Sequence, residues 1–238
     1  PEDPKRAAVL LDLAELHLAW MMRPEAAGFL TALDHETLTD DTARRHRTLT
    51  LALALLEDDA GEGGDLGQAV SWSVGWAEGQ ALRAAAFARL GAIDEAARLM
   101  PRTVESLGAL SPAIQAAVLP DLLEAALAAE EWDVAQALAA QFPKHGELRD
   151  GPAYRFLLAR ASEVSGDFLM AFEGYVQAAQ GRDAYAQRAR LALVRMGRET
   201  DALSLEDALS LLKTARWMWS GDALAREGVT LFADIAAE

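Results

Sequence analysis

Three observations predict an all-α chain built as an α-solenoid of stacked antiparallel helix pairs. Ala and Leu dominate the 238 residues, and no stretch alternates Val, Ile or Thr over the length of a strand. Apolar side chains recur at helical spacing, and helix breakers or capping residues arrive every 12 to 20 residues. A pattern of small residues then repeats at near-constant intervals, as in architectures made of stacked helical hairpins. The reading is one domain over residues 1–238, with about five or six helix pairs and an irregular acidic, Gly-rich insertion around 58–65.

The elements follow in order. Leu10, Leu13, Ala14, His17, Leu18 and Met21 lie on one side of a first helix. Pro24 suits the first turn of a second helix, where its missing N–H costs nothing. Asp40 or Asp41 caps a third, and Ser111-Pro112 reads as a cap followed by the first helical residue. Ser204-Leu205-Glu206-Asp207 has the form of a capping box, and Ser220-Gly221-Asp222 opens the last helix. Of the tryptophans, Trp217 and Trp219 face opposite sides of a helix end, one expected in the core and the other against the final helix. Trp72 and Trp76, a turn apart, are either core or a stacking platform.

The repeat centres on an Ala early in each second helix: Ala26, Ala96, Ala135 and Ala171, with Ala208 continuing after a longer connection from Gly197 to Ser204. The spacings are 70, 39, 36 and 37, and the first is twice 35, so a degenerate copy is expected at Gly64-x-Leu66-x-x-Ala69. Five residues before the four leading alanines stand Met21, Gly91, Glu130 and Gly166, where glycine supports a helix-ending conformation in two of the four. Twelve residues before them stand Ala14, Ala84, Leu123 and Ala159, mostly small, where two helices approach closely.

On these residues, best at Gly166-x-Phe168-x-x-Ala171-x-x-x-Tyr175-x-x-Ala178 and at Gly91-x-Ile93-x-x-Ala96, the chain resembles tetratricopeptide repeat proteins. It is similar in particular to the repeat region of large, poorly characterised alphaproteobacterial proteins, through Leu11 to Ala14 leading to Pro24-Glu25-Ala26 and through the ending Leu211 to Asp222. The resemblance implies a right-handed superhelix with first helices on the concave surface, and a location outside the cytoplasm. The Trp and Tyr of the family's first helix are mostly Leu and Ala here.

Charge and composition narrow the function. With 22 Lys+Arg against 37 Asp+Glu, the net charge is −15, which repels nucleic-acid phosphate and anionic lipid. The longest basic cluster is Arg44-Arg45-His46-Arg47, and the apolar run Leu49 to Leu56 is too short to cross a membrane. There is no Cys, which removes disulfides, thiolate metal sites and cysteine nucleophiles. The chain opens at Pro1, read as a piece from which targeting information has been removed. His17, His35, His46 and His145 are scattered, and His17 reads as a satisfied core histidine rather than a ligand. Glu57 to Asp65 offers five carboxylates without the alternating pattern of a calcium loop. No catalytic motif, metal site or cofactor site is expected.

The expected function is a non-enzymatic scaffold that grips a protein or peptide in its concave groove. By offset from each hinge alanine, the groove holds Glu15, Arg89, Glu124, Phe156, Arg160 and Glu163, with Phe156 as an exposed anchor. Arg160 and Glu163 are also spaced to pair with each other. The alternatives are a cell-envelope element that binds polysaccharide, and a helical hydrolase using two facing carboxylates. Capture of C-terminal carboxylates by paired Lys and Asn is unsupported, since the chain has no Asn and only Lys5, Lys144 and Lys213.

Overall fold

The computed structural model describes residues 4–33, 38–57, 64–72, 79–146 and 148–237. Among them are thirteen α-helices and no strand. They form two compact units, Pro1–His145 and Gly146–Glu238.

The first unit contains α1 (Pro4–Ala19), α2 (Arg23–Thr31), α3 (Asp40–Glu57), α4 (Gly64–Trp72), α5 (Gln80–Arg89), α6 (Ile93–Gly108), α7 (Pro112–Ala128) and α8 (Trp132–Ala139). A single 3-10 turn, Phe142–Lys144, follows, anchored by the fully buried Phe142 ring. The helices pack as pairs, α1 with α2, α3 with α4, α5 with α6 and α7 with α8, and the first helices α1, α3, α5 and α7 also pack in sequence. Because α7 additionally touches α3 and α1, these first helices bend around a shared interior. At its centre, the run Leu49 to Leu56 of α3 is buried almost all round, the expected environment of a helix without a polar face.

The second unit contains α9 (Pro152–Val164), α10 (Phe168–Ala178), α11 (Ala184–Glu199), α12 (Leu205–Met218) and α13 (Ala223–Ala236). Here α9 pairs with α10 and packs on α11, while α13 covers α11 and α12 through Leu191, Val194, Ala208, Leu212 and Ile235.

Four hairpins share one hinge. Met21, Gly91, Glu130 and Gly166 all have left-handed backbone, with φ of 58°, 72°, 58° and 84°. The next residue closes each first helix with a long-reach hydrogen bond: Met22 N–H to His17 O at 2.8 Å, Ala92 to Phe87 at 2.9 Å, Glu131 to Ala126 at 3.0 Å and Asp167 to Ser162 at 2.9 Å. Those four residues share φ between −83° and −86° and ψ between 66° and 74°, then start the second helix. The hinge alanines Ala26, Ala96, Ala135 and Ala171 are buried, as are Ala14, Ala84, Leu123 and Ala159 twelve residues before them. Small size matters where α9 crosses α10: a Cβ on Gly174 would lie 2.8 Å from that of Ala159. In the degenerate copy, Leu66 and Ala69 are buried on α4, which packs on α3.

Arginines close several helix ends. Arg23 Nη1 donates to Leu56 O at 2.6 Å, and Arg89 Nη1 donates to Leu55 O, so two guanidiniums occupy the C-terminus of α3. Arg190 Nη2 donates to Ala179 O at 2.7 Å and Gly181 O at 2.6 Å, just past α10. Planar, multi-donor Arg suits this work better than Lys, a physical reason for the Arg-rich positive charge.

Several expectations shift by a residue or a face. The N-terminal cap of α3 is Thr39, whose Oγ1 accepts from Thr42 N–H at 3.4 Å, rather than Asp40 or Asp41, which lie in the first turn. The fully buried stripe of α1 is Leu11, Ala14 and Leu18, with Ala7 nearly so, while Met21 is exposed because it occupies the left-handed hinge. Ser111, Ser204 and Asp222 cap as expected, Asp222 accepting from Ala225 N–H at 2.8 Å. Neither late tryptophan is core. Trp217 is 86% exposed because Leu212 and Ala215 define the opposite, buried face of α12, and Trp219 is half-buried and donates to Asp222 at 2.8 Å. Most of the acidic insertion, His35, Trp76 and the Trp72 side chain lie outside the described residues.

Candidate functional site

Within the first unit, α1, α3, α5 and the α6–α7 junction enclose a cavity of about 600 Å³. Helical spacing builds its walls. Asp12, Glu15, Leu16 and Ala19 come from one side of α1, and Arg45, Thr48, Leu49 and Ala52 come from one side of α3. Leu82, Ala109, Leu110, Ser111 and Ile114 line the rest.

Arg45 spans the two acidic residues, 2.7 Å from Asp12 Oδ1 and hydrogen-bonded to Glu15 Oε2. Burial opposes its charge, but the hydrogen bonds to Glu15 and Asp12 outweigh it and hold the guanidinium above its ordinary pKa. The carboxylates themselves stay 65% and 56% exposed. Thr48 is only 6% exposed, and its hydroxyl has no hydrogen-bond partner among the described residues. Elsewhere in the Arg44–Arg47 cluster, Arg44 and Arg47 are exposed, Arg44 pairing with Asp41 at 3.5 Å, and the buried His46 has Nε2 3.2 Å from Leu30 O.

Of the six expected groove residues, Glu15 lines this cavity. Arg89 is a clamp inside the unit, donating through Nε to Asp121 at 2.9 Å while its other nitrogens reach Leu55 O and Ala117 O. It ties α5 to α3 and α7. Glu124 is half-buried on α7.

In the second unit, Phe156 is the clear correction. It is expected as an exposed anchor, yet it is 3% exposed and packs against Tyr175 and Tyr185 at centroid distances of 5.5 and 5.8 Å. Arg188 lies 4.8 Å above its ring. The reason is register: fifteen residues before each hinge alanine stand Leu11, Ala81, Pro120 and Phe156, and every one is buried. Glu163 turns to Tyr175, accepting its hydroxyl proton at 2.5 Å, and Arg160 is exposed. Burial, then the Glu163 hydrogen bond, push the Tyr175 phenol well above its usual pKa, with Arg160 and Arg188 opposing.

The structure therefore brings Phe156 and Glu163 together around Tyr175 and places Glu15 at a hollow. Asp12, Arg45 and Thr48 escape sequence reasoning because their meeting joins residues 30 or more positions apart. The available signal is the i, i+3 spacing of Asp12 and Glu15 and the Arg45, Thr48, Leu49, Ala52 stripe.

His17 is half-buried, with Nδ1 2.7 Å from Leu13 O and its ring 5.0 Å from Phe29, as a satisfied packing histidine should be. Among the described residues, no group of three or more His, Asp or Glu side chains is placed to hold a metal ion, and no helix is long and apolar enough to cross a membrane. Comparison with protein-family models, with curated proteins and with solved structures gives no match in any of the three.

Proposed function

We propose that the chain is a non-enzymatic scaffold whose helix hairpins stack in the tetratricopeptide manner and whose first helices grip a partner protein or peptide. The observation that carries the reading is the recurring hinge: four helix pairs turn through a left-handed residue, a next residue of near-constant φ and ψ, and a buried alanine. Hairpins of this kind cannot bury their apolar faces alone, so neighbours share them, and the first helices are left to present a surface. The hollow at Glu15, on the first helices α1, α3 and α5, is where that surface is concave.

Photocrosslinking tests it. A benzophenone amino acid at Ala19, on the cavity wall, is expected to trap another polypeptide from the native organism, identifiable by mass spectrometry. The same probe at exposed Gln136 on α8 is expected to trap it far less. Crosslinks to glycan alone, or equal yields at both positions, would overturn the reading.

A further inference from the structure

We propose that the cavity between α1, α3, α5 and the α6–α7 junction takes a basic segment of a partner polypeptide, seated by an aliphatic side chain. The inference rests on the scaffold reading and names the partner's chemistry.

Charge points to a cation. Among the described residues, the charged ones lining the cavity are Asp12, Glu15 and Arg45, a balance of −1, and Arg45 already divides its guanidinium between both carboxylates. Those carboxylates face solvent with unused lone pairs, on a chain whose total is −15. Below them, Leu16, Leu49, Leu82, Leu110 and Ile114 offer apolar wall to a methylene-rich side chain. The volume, about 600 Å³, falls within the range of ligand pockets.

Thr48 supplies an independent observation. Buried hydroxyls are normally hydrogen-bonded, because an unmade bond leaves the desolvation of the group uncompensated. Thr48 lines the cavity, and its buried hydroxyl has no hydrogen-bond partner among the described residues, whereas Thr50 and Thr103 bond the carbonyl four residues back. Ser111, on the same wall, already accepts from Ile114 N–H. A main-chain N–H or C=O of a bound segment would give Thr48 a partner.

The test is fluorescence anisotropy on the whole chain with two labelled heptapeptides of equal apolar content, one alternating lysine with leucine and one alternating glutamate with leucine. The basic peptide is expected to bind at least tenfold more tightly. Thr48→Val, which keeps shape and charge, is expected to weaken it at least threefold without lowering the unfolding temperature. Asp12→Asn with Glu15→Gln, which keeps thirteen of the fifteen excess negative charges but leaves Arg45 uncovered, is expected to abolish the preference. Equal binding of the two peptides overturns the inference. So does binding indifferent to all three substitutions, or displacement by n-hexylamine at the peptide's own concentration. In each case a polypeptide crosslink at Ala19 would leave the scaffold reading standing, while its absence would remove that reading first.

Discussion

In the first unit the first helices enclose a hollow, while in the second the side chains of α9 and α11 meet over a filled junction. They also carry side chains of different volume at one row of the repeat. Fifteen residues before the hinge, the first unit places Leu11, Ala81 and Pro120, whereas the second places Phe156, which fills the space against Tyr175 and Tyr185. The same hinge thus stands beside a cavity in one unit and beside an aromatic cluster in the other.

The hardest test of this comparison is the hinge itself. Ala171→Glu drives a charge into a fully buried position where α10 meets α9, and cooperative loss of the second unit's helicity is expected by circular dichroism. A soluble protein with undiminished helicity would mean that the hinge alanines do not share a role.

Phe156→Ala sharpens the contrast. Removing a buried ring leaves a void and is expected to cost about 3–4 kcal/mol in urea unfolding. Glu15→Ala, at the exposed edge of the first unit's hollow, is expected to cost under about 1 kcal/mol. Near-equal effects would erase the distinction between filled and open.

How much of this was legible in the sequence follows from which interactions are local. The hinge depends on a few consecutive residues, so Gly91 and Gly166 announced it, and the constant offset carried it to Met21 and Glu130. Caps at Ser111, Ser204 and Asp222 were visible for the same reason. The Phe156 burial was also within reach, since its offset equals that of Leu11, but an aromatic beside Arg160 and Glu163 reads as a surface anchor when its row is ignored. Arg89 and Arg45 were not legible. Their partners, Leu55, Asp121, Asp12 and Glu15, lie about 30 residues away, and only packing decides which arginine faces which carboxylate.

The smallest effect concerns Tyr175. Folding raises its pKa, so the folded state holds the phenolic proton more tightly than the unfolded chain. The corresponding stability is complete below the ordinary tyrosine value near 10 and falls as pH climbs beyond it. Tyr175→Phe is expected to cost about 1 kcal/mol at neutral pH and to flatten that alkaline decline in a pH series of urea melts. An unchanged alkaline slope would detach Tyr175 and Glu163 from the second unit's stability.

Two of the four hinges carry a side chain at the left-handed residue, Met21 and Glu130, where the other two carry glycine. Such a conformation burdens an ordinary L-residue by about 1 kcal/mol or more. The molecule therefore operates below the robustness its own architecture allows. Anyone wishing to harden it for engineering could begin with Met21→Gly and Glu130→Gly, which leave every helix, the hollow and the aromatic junction untouched.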